Sequence, residues 1–254
     1  MHIAHQELFK HLDTNGAIVV IDTGYANLTP KTYRAKYTKY PLFFYPLNEI
    51  KHLEPLEFIS LLKEEYPSLK KIVVGFDFKF GARASGSIET LKENFSGDVI
   101  VVNEFKYENE GVHSRVIRDY LSKGEIKKAN NFLGKSYTFC GLVIKGQGLG
   151  KKQFVATLNL EIEDFLIPSE GVYATYTIID GRKYLSATFI GHRKTTDNKY
   201  AVETHLIDKN INEVDSKVEI EFIDKVRDNK KFDDYKELQN QIIDDINQIK
   251  SNFS

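Results

Sequence analysis

Two histidines three residues apart, His2 and His5, head a run in which Leu8, Phe9 and Leu12 form one helical stripe. A helix start offers anions its free N–H groups and a favourable dipole. Two imidazoles there would add donors for phosphate oxygens, as attack on a nucleotide's α-phosphate requires. From spacing alone, two surface histidines on a ragged terminus are the simpler reading. Zinc has less support, because the chain carries neither an HExxH pattern nor a cysteine pair.

Four more segments hold residues that could do chemistry. VVGFDFKFGARASG (Val73–Gly86) runs from a strand into a glycine-bounded turn, and parallel sheets bind ligands at such strand ends. Gly75 and Gly81 would let backbone approach a ligand, while Phe76, Phe78 and Phe80 would line a flat pocket or fill a core. In VHSRVIRDYL (Val112–Leu121), Ser114 and Arg118 lie four apart at a helix start. They could converge on one phosphate, or be a capping serine beside an exposed arginine. In KGQGLGKKQFVATLNLEI (Lys145–Ile162), Gly146, Gly148 and Gly150 join two strands and could cradle phosphates through their N–H groups, although the run fails the Walker pattern. Thr157 and Asn159 share one face of the following strand and offer hard oxygens suited to magnesium carried with ATP. A flexible hairpin followed by two polar strand residues fits the same letters. YAVETHLID (Tyr200–Asp208) alternates strictly: Val202, Thr204 and Leu206 face one way, Ala201, Glu203, His205 and Ile207 the other. A carboxylate on the wall of a small barrel is costly unless paired or functional, so Glu203 is a candidate base for deprotonating a hydroxyl. A solvent-facing glutamate has the same spacing.

The elements that must position these residues fall into two textures. AIVVID (Ala17–Asp22), KIVVGFD (Lys71–Asp77) and VIVVNEF (Val99–Phe105) are short apolar runs, as buried parallel strands are. Helices are expected over Pro55–Tyr66, over Ser87–Phe95 with Ser87 as cap and Thr90 as weak point, and over Ser114–Ser122 and Glu125–Phe132. This alternation predicts a doubly wound parallel α/β domain over residues 1–134. After Gly134 come six β-rich runs separated by turn signals, which predict a six-stranded antiparallel barrel over residues 135–254, since closure removes exposed edges. A terminal helix, Asp233–Lys250, carries Leu238, Ile242, Ile246 and Ile249 on one stripe. The basic, aromatic stretch Thr29–Tyr40 could attract phosphate through Lys31, Arg34, Lys36 and Lys39, but a solvated face is the simpler reading.

The 254 residues are 41% hydrophobic and 28% charged, with net charge −1, which argues against nucleic acid or an anionic membrane as the main partner. Cys140 is the sole cysteine, and no apolar run reaches membrane-spanning length. A cytoplasmic protein is expected.

In order along the chain, these segments resemble the bacterial bifunctional riboflavin kinase/FMN adenylyltransferases, or FAD synthetases. The family's HxGH stands here as His2-Ile3-Ala4-His5, GxDFxFG as Gly75–Gly81, SSTxIR as His113–Arg118, and PTAN as Ala156–Asn159. GVYA (Gly171–Ala174) and ExHL (Glu203–Leu206) are intact, EIKKANNFLGKSY resembles the family's run between domains, and RDxxKF begins at Arg227. The departures are Ala4 for glycine, His113 and Arg115 for Ser and Thr, Ala156 for proline, and Phe154 where a glycine is usual.

The resemblance implies phosphorylation of riboflavin to FMN by the second domain and adenylylation of FMN to FAD by the first. ATP, riboflavin and FMN would be the partners, with magnesium arriving on ATP and no obligate protein partner. It implies a catalytic Glu203, phosphate contacts from Gly146–Gly150, and metal contacts from Thr157 and Asn159. It also implies charge stabilisation by His2, His5, Ser114 and Arg118, ligand contacts from Asp77 and Phe78, and a loop around Arg227 closing over flavin. In the family a strand and a GxFDGxH turn precede the histidines, so a truncated chain or an internal methionine start is expected. Two alternatives remain: a kinase with a degenerate first domain, and a non-enzymatic flavin-binding regulator.

Overall fold

The computed structural model describes residues 1–25, 27–144, 155–209, 214 and 217–253. Contacts divide the chain into two units, Met1–His113 and Ser114–Ser254.

In the first unit, α1 (Ile3–Phe9) precedes β1 (Ile18–Asp22), a 3-10 helix (Lys31–Tyr37), β2 (Leu42–Pro46), α2 (Leu47–Ile50) and α3 (Pro55–Glu65). Then come β3 (Lys71–Gly75), a 3-10 turn (Ala82–Ala84), α4 (Ile88–Asn94), β4 (Asp98–Val102) and the short β5 (Lys106–Tyr107) and β6 (Glu110–Gly111). β1 pairs with β2 and β3 with β4, both parallel as expected, whereas the short β5 and β6 pair antiparallel. β2, which ends on Pro46, is not among the strands expected from the sequence. Phe58, Ile59 and Leu62 of α3 pack with Val74 of β3, Leu91 of α4, Phe80 and Phe95, and Ile21 of β1 joins this core. Ser87 caps α4 as expected. Thr90 corrects its reading as a weak point, because its N–H donates to Ser87 Oγ and its own Oγ1 accepts from the Ser87 N–H.

The second unit opens with α5 (Ser114–Lys123) and α6 (Ile126–Leu133), followed by β7 (Thr138–Ile144), β8 (Leu158–Ile162), β9 (Gly171–Ile179), β10 (Arg182–His192), β11 (Tyr200–Leu206), β12 (Lys217–Arg227) and α7 (Tyr235–Phe253). The six strands close a barrel in the order β10-β11-β8-β7-β12-β9, every pair antiparallel. Asn130 of α6 joins that helix to the barrel: its amide donates to the Phe222 carbonyl and accepts from the Tyr137 N–H. Inside, Phe222 packs against Tyr137, Phe139 and Tyr173. Outside, Ile249 of α7 packs on Ala174 and Ile207.

The lumen also holds five fully buried hydroxyls, on Thr175, Thr177, Ser186, Thr188 and Thr204. They form a closed ring: Thr175 to Thr188 at 2.7 Å, Thr188 to Thr204 at 3.0 Å, Thr204 to Thr177 at 3.0 Å, Thr177 to Ser186 at 2.9 Å, and Ser186 to Thr175 at 2.8 Å. Thr177 donates to Ser186 and Thr188 donates to Thr204, while the Thr175 and Ser186 hydroxyls also reach each other's backbone carbonyls at 3.2 and 3.1 Å.

Candidate functional site

The alternation of β11 decides where Glu203 points. Val202, Thr204 and Leu206 are buried in the lumen, so Glu203 and His205 lie on the outer wall. Leu160 of β8 is likewise buried, which turns Asn159 outward, and Asn159 is the direct partner of Glu203 across the ladder. Paired positions of this kind hold their Cβ atoms about 5 Å apart. On the other side, Glu203 faces Phe189 of β10.

Glu203 is paired with a cation. Arg193, in the turn between β10 and β11, donates from Nη1 to Glu203 Oε1 at 3.1 Å and from Nη2 to Asp197 Oδ2 at 3.0 Å. The Glu203 side chain keeps 19% of its surface exposed. Burial pushes its carboxyl up from the ordinary glutamate range, and the Arg193 guanidinium pulls it back.

His205 completes the wall. Its Nδ1 lies 2.8 Å from the carbonyl oxygen of Ala156, a hydrogen bond in which the imidazole N–H donates. The bond fastens the backbone immediately before Thr157 to the strand that carries Glu203. Carboxylate and amide therefore share the outer face of two adjacent strands, and Thr157 lies in the segment just before β8. Among the described residues no group of three or more His, Cys, Asp or Glu side chains could hold a metal. The neutral oxygens of Thr157 and Asn159 suit a hard divalent cation that arrives already bound to phosphates, rather than a resident one. Gly146, Gly148 and Gly150 lie outside the described residues.

Arg227 ends β12, and its guanidinium is occupied. Nε lies 2.9 and 3.0 Å from the two carboxylate oxygens of Asp245, Nη2 is 2.8 Å from Oδ2, and Nη1 donates to the Asp228 carbonyl. Asp245 is buried on α7. The residue that the resemblance assigns to a flavin-closing loop thus anchors the terminal helix. Close by, Asn229 donates to Glu170 and to the His192 carbonyl, and His192 Nδ1 lies 2.7 Å from Glu170. Sequence reasoning missed Arg193 and Asp245. The signal for Asp245 was a carboxylate inside the apolar stripe of α7, between Ile242 and Ile249.

In the first unit, His2 is buried and precedes α1; its backbone N–H donates to His5 Nδ1 at 3.3 Å, and the two rings lie 3.8 Å apart. The surface-histidine reading is corrected for His2 by that burial. Arg34 corrects the solvated-face reading of the basic stretch, because it is half-buried and donates to the Thr29 carbonyl. Phe80 belongs to the core and stacks on Phe78, whereas Phe76 and Asp77 are exposed at the end of β3. Phe76 is therefore the most open of the three rings, with Phe78 partly buried. Gly81 is fixed by its left-handed φ of 73° and by Pro55, which a Cβ would meet at 2.9 Å. Ser114 starts α5 and Arg118 lies one turn on, both in the second unit.

Comparison with known proteins adds an independent line. A family model described as riboflavin kinase matches residues 133–253, and one described as FAD synthetase matches residues 38–116. Bifunctional riboflavin kinase/FMN adenylyltransferases from Bacillus subtilis (28% identical over 79% of this chain) and Haemophilus influenzae (29% over 78%) each align over 66% of their own length. The chain thus spans just under two thirds of these first curated relatives. The corresponding protein of Buchnera aphidicola from Acyrthosiphon pisum is 27% identical and aligns with all of this chain and 90% of its own. A solved structure described as a macrolide-efflux protein from Streptococcus pneumoniae superposes with a TM-score of 0.84 at 26% identity, covering 100% of this chain and 91% of that one. No helix among the described residues is long and apolar enough to cross a membrane. With two domain models matched in chain order and one relative aligning along all of this chain, residues 38–116 belong with the FAD synthetases and residues 133–253 with the riboflavin kinases, the pairing found in the bifunctional riboflavin kinase/FMN adenylyltransferases.

Proposed function

We propose that the chain phosphorylates riboflavin to FMN on its barrel and adenylylates FMN to FAD through its first unit, with ATP as donor in both steps. The observation that carries the kinase half is the pairing of Glu203 with Asn159 on the outer wall, beside the Thr157 segment held by His205. Glu203 accepts the proton of the terminal ribityl hydroxyl while that oxygen attacks the γ-phosphate and ADP departs. Thr157 and Asn159 hold the divalent ion that travels with ATP, which we take to be magnesium and which neutralises phosphate charge. Gly146–Gly150 bind the phosphates. Positioning and charge neutralisation supply most of the rate.

In the second reaction an FMN phosphate oxygen attacks the α-phosphate of another ATP and pyrophosphate leaves. His2 and His5 steady the shifting charge, and the family resemblance gives Asp77 and Phe78 a part in ligand binding. No protein nucleophile is needed. The protein works in the cytoplasm without nucleic acid, membrane or obligate protein partners.

Incubation with riboflavin, ATP and magnesium, followed by chromatography, tests the proposal. FAD is the expected product. FMN alone would support a kinase with an inactive first unit, a reading favoured by the burial of His2 against His5. Bound but unchanged riboflavin would overturn both.

A further inference from the structure

Of the four cations in the basic stretch Thr29–Tyr40, Arg34 alone is half-buried, and the two reactions above give it no duty. Taking a guanidinium part-way out of water is costly: burial lowers its pKa from the ordinary arginine value, while the Asp22 carboxylate nearby favours the charged form. Its Nε–H donates to the Thr29 carbonyl at 2.9 Å, which fixes the plane of the group. Among the described residues that is its sole hydrogen bond, and Asp22 accepts instead from the Gly24 N–H. The Nη1 and Nη2 fork is left over, with the geometry that clamps a phosphate. Its place is set by the same residues that seat the histidines. Thr29 is buried, and its hydroxyl accepts from the amino group of Met1 at 2.6 Å. One threonine thus holds Arg34 by its carbonyl and the residue before His2 by its hydroxyl. A second link lies one 3-10 turn past Arg34, where the Gln6 side chain of α1 donates to the Tyr37 carbonyl at 3.0 Å.

We propose that Arg34 is a phosphate-binding residue of the first unit, its Nη fork gripping a phosphate group beside His2 and His5. The proposal rests on the adenylyl-transfer reading for its ligand. Two groups in that reaction share the required chemistry: the pyrophosphate that leaves ATP, and the FMN phosphate that attacks. A permanently charged fork offsets the negative charge of either, and the bond to Thr29 keeps it oriented before the reaction begins.

The test reads Arg34 directly in the full wild-type chain. Phenylglyoxal labels open guanidinium groups, and mass spectrometry of the peptide containing Arg34 follows the label alone, with inorganic pyrophosphate, with FMN, and with riboflavin, which has no phosphate. Arg34 is expected to label, and pyrophosphate or FMN should slow that labelling at least roughly fivefold while riboflavin does not. Slowing by pyrophosphate assigns the leaving phosphates of ATP to Arg34, and slowing by FMN assigns the attacking phosphate. An Arg34 that never labels, that labels at one rate throughout, or that riboflavin shields as well as FMN does, overturns the proposal. None of these readings depends on a variant that folds. Where Arg34→Gln does fold, KM in FAD formation should rise roughly tenfold for the substrate whose phosphate gives the shielding, with the other KM little changed and part of the loss recovered by Arg34→Lys. A wild type that forms FAD, with both KM values unmoved in Arg34→Gln, overturns the Arg34 role alone. A wild type that forms no FAD while pyrophosphate or FMN still shields Arg34 overturns adenylyl transfer and leaves the phosphate site standing.

Discussion

His205 Nδ1 and the carbonyl oxygen of Ala156 are 2.8 Å apart, which ties the strand bearing Glu203 to the residue that precedes Thr157. The bond continues the β8–β11 ladder by one rung where the backbone pairing has already ended at Leu158 and Thr204. A side chain here does the work of a main-chain amide, and it holds the backbone just before Thr157 against the strand that carries the carboxylate.

Replacing His205 should therefore act on nucleotide more than on flavin. One hydrogen bond of about 1 kcal/mol predicts a rise in KM for ATP of roughly fivefold in His205→Ala, with KM for riboflavin little changed. His205→Asn, whose amide N–H sits near the position of Nδ1, should recover most of the loss. Steady-state kinetics with each substrate varied in turn would check this.

Glu203→Gln should lower kcat for FMN formation by roughly 10²–10⁴ while the barrel stays folded. The pH dependence has a definite sign. A base works only when ionised, and burial raises the Glu203 carboxyl above its ordinary 4.5, so activity should fall on acidification with a midpoint above that value. A kcat profile against pH would show it.

Asp245→Ala leaves the Arg227 guanidinium partly buried without its carboxylate. Breaking such a pair costs about 3 kcal/mol, and the loss should appear as a lower urea midpoint with detachment of α7. Adding Arg227→Met should restore part of the stability, because the stranded charge is then removed.

The Glu170 carboxyl lies below its ordinary range because the Asn229 amide and His192 bond to it. A depressed carboxylate contributes stability above its unfolded value of 4.5, and that contribution is lost as pH falls through the lower folded value. Glu170→Gln should thus flatten the decline of Tm on acidification below about pH 4.5 and leave the neutral-pH slope alone. Melting curves of both proteins across that range would measure it.

Much of this was legible in the residues, for reasons tied to local patterns. Strict alternation in Tyr200–Leu206 fixed which face Glu203 occupies, and the count of six short β-rich runs gave the barrel. What local patterns do not encode is pairing over distance. The β9–β12 ladder joins strands far apart in the chain, and Arg193 meets Glu203 only because the intervening turn brings the two strands together. The pairing of Asp245 with Arg227, eighteen residues apart, is likewise invisible to a local pattern. The luminal threonines followed the expected period of two with the opposite chemistry, since polar groups can lie inside when they satisfy one another.

The five-hydroxyl ring carries a consequence for where recognition happens. Each of the five luminal hydroxyls already meets two others of the ring, so its proton is committed inside the barrel. Residues that tune recognition on the outer wall should be sought at Ala201, Glu203 and His205, whose neighbours Val202, Thr204 and Leu206 are buried inside.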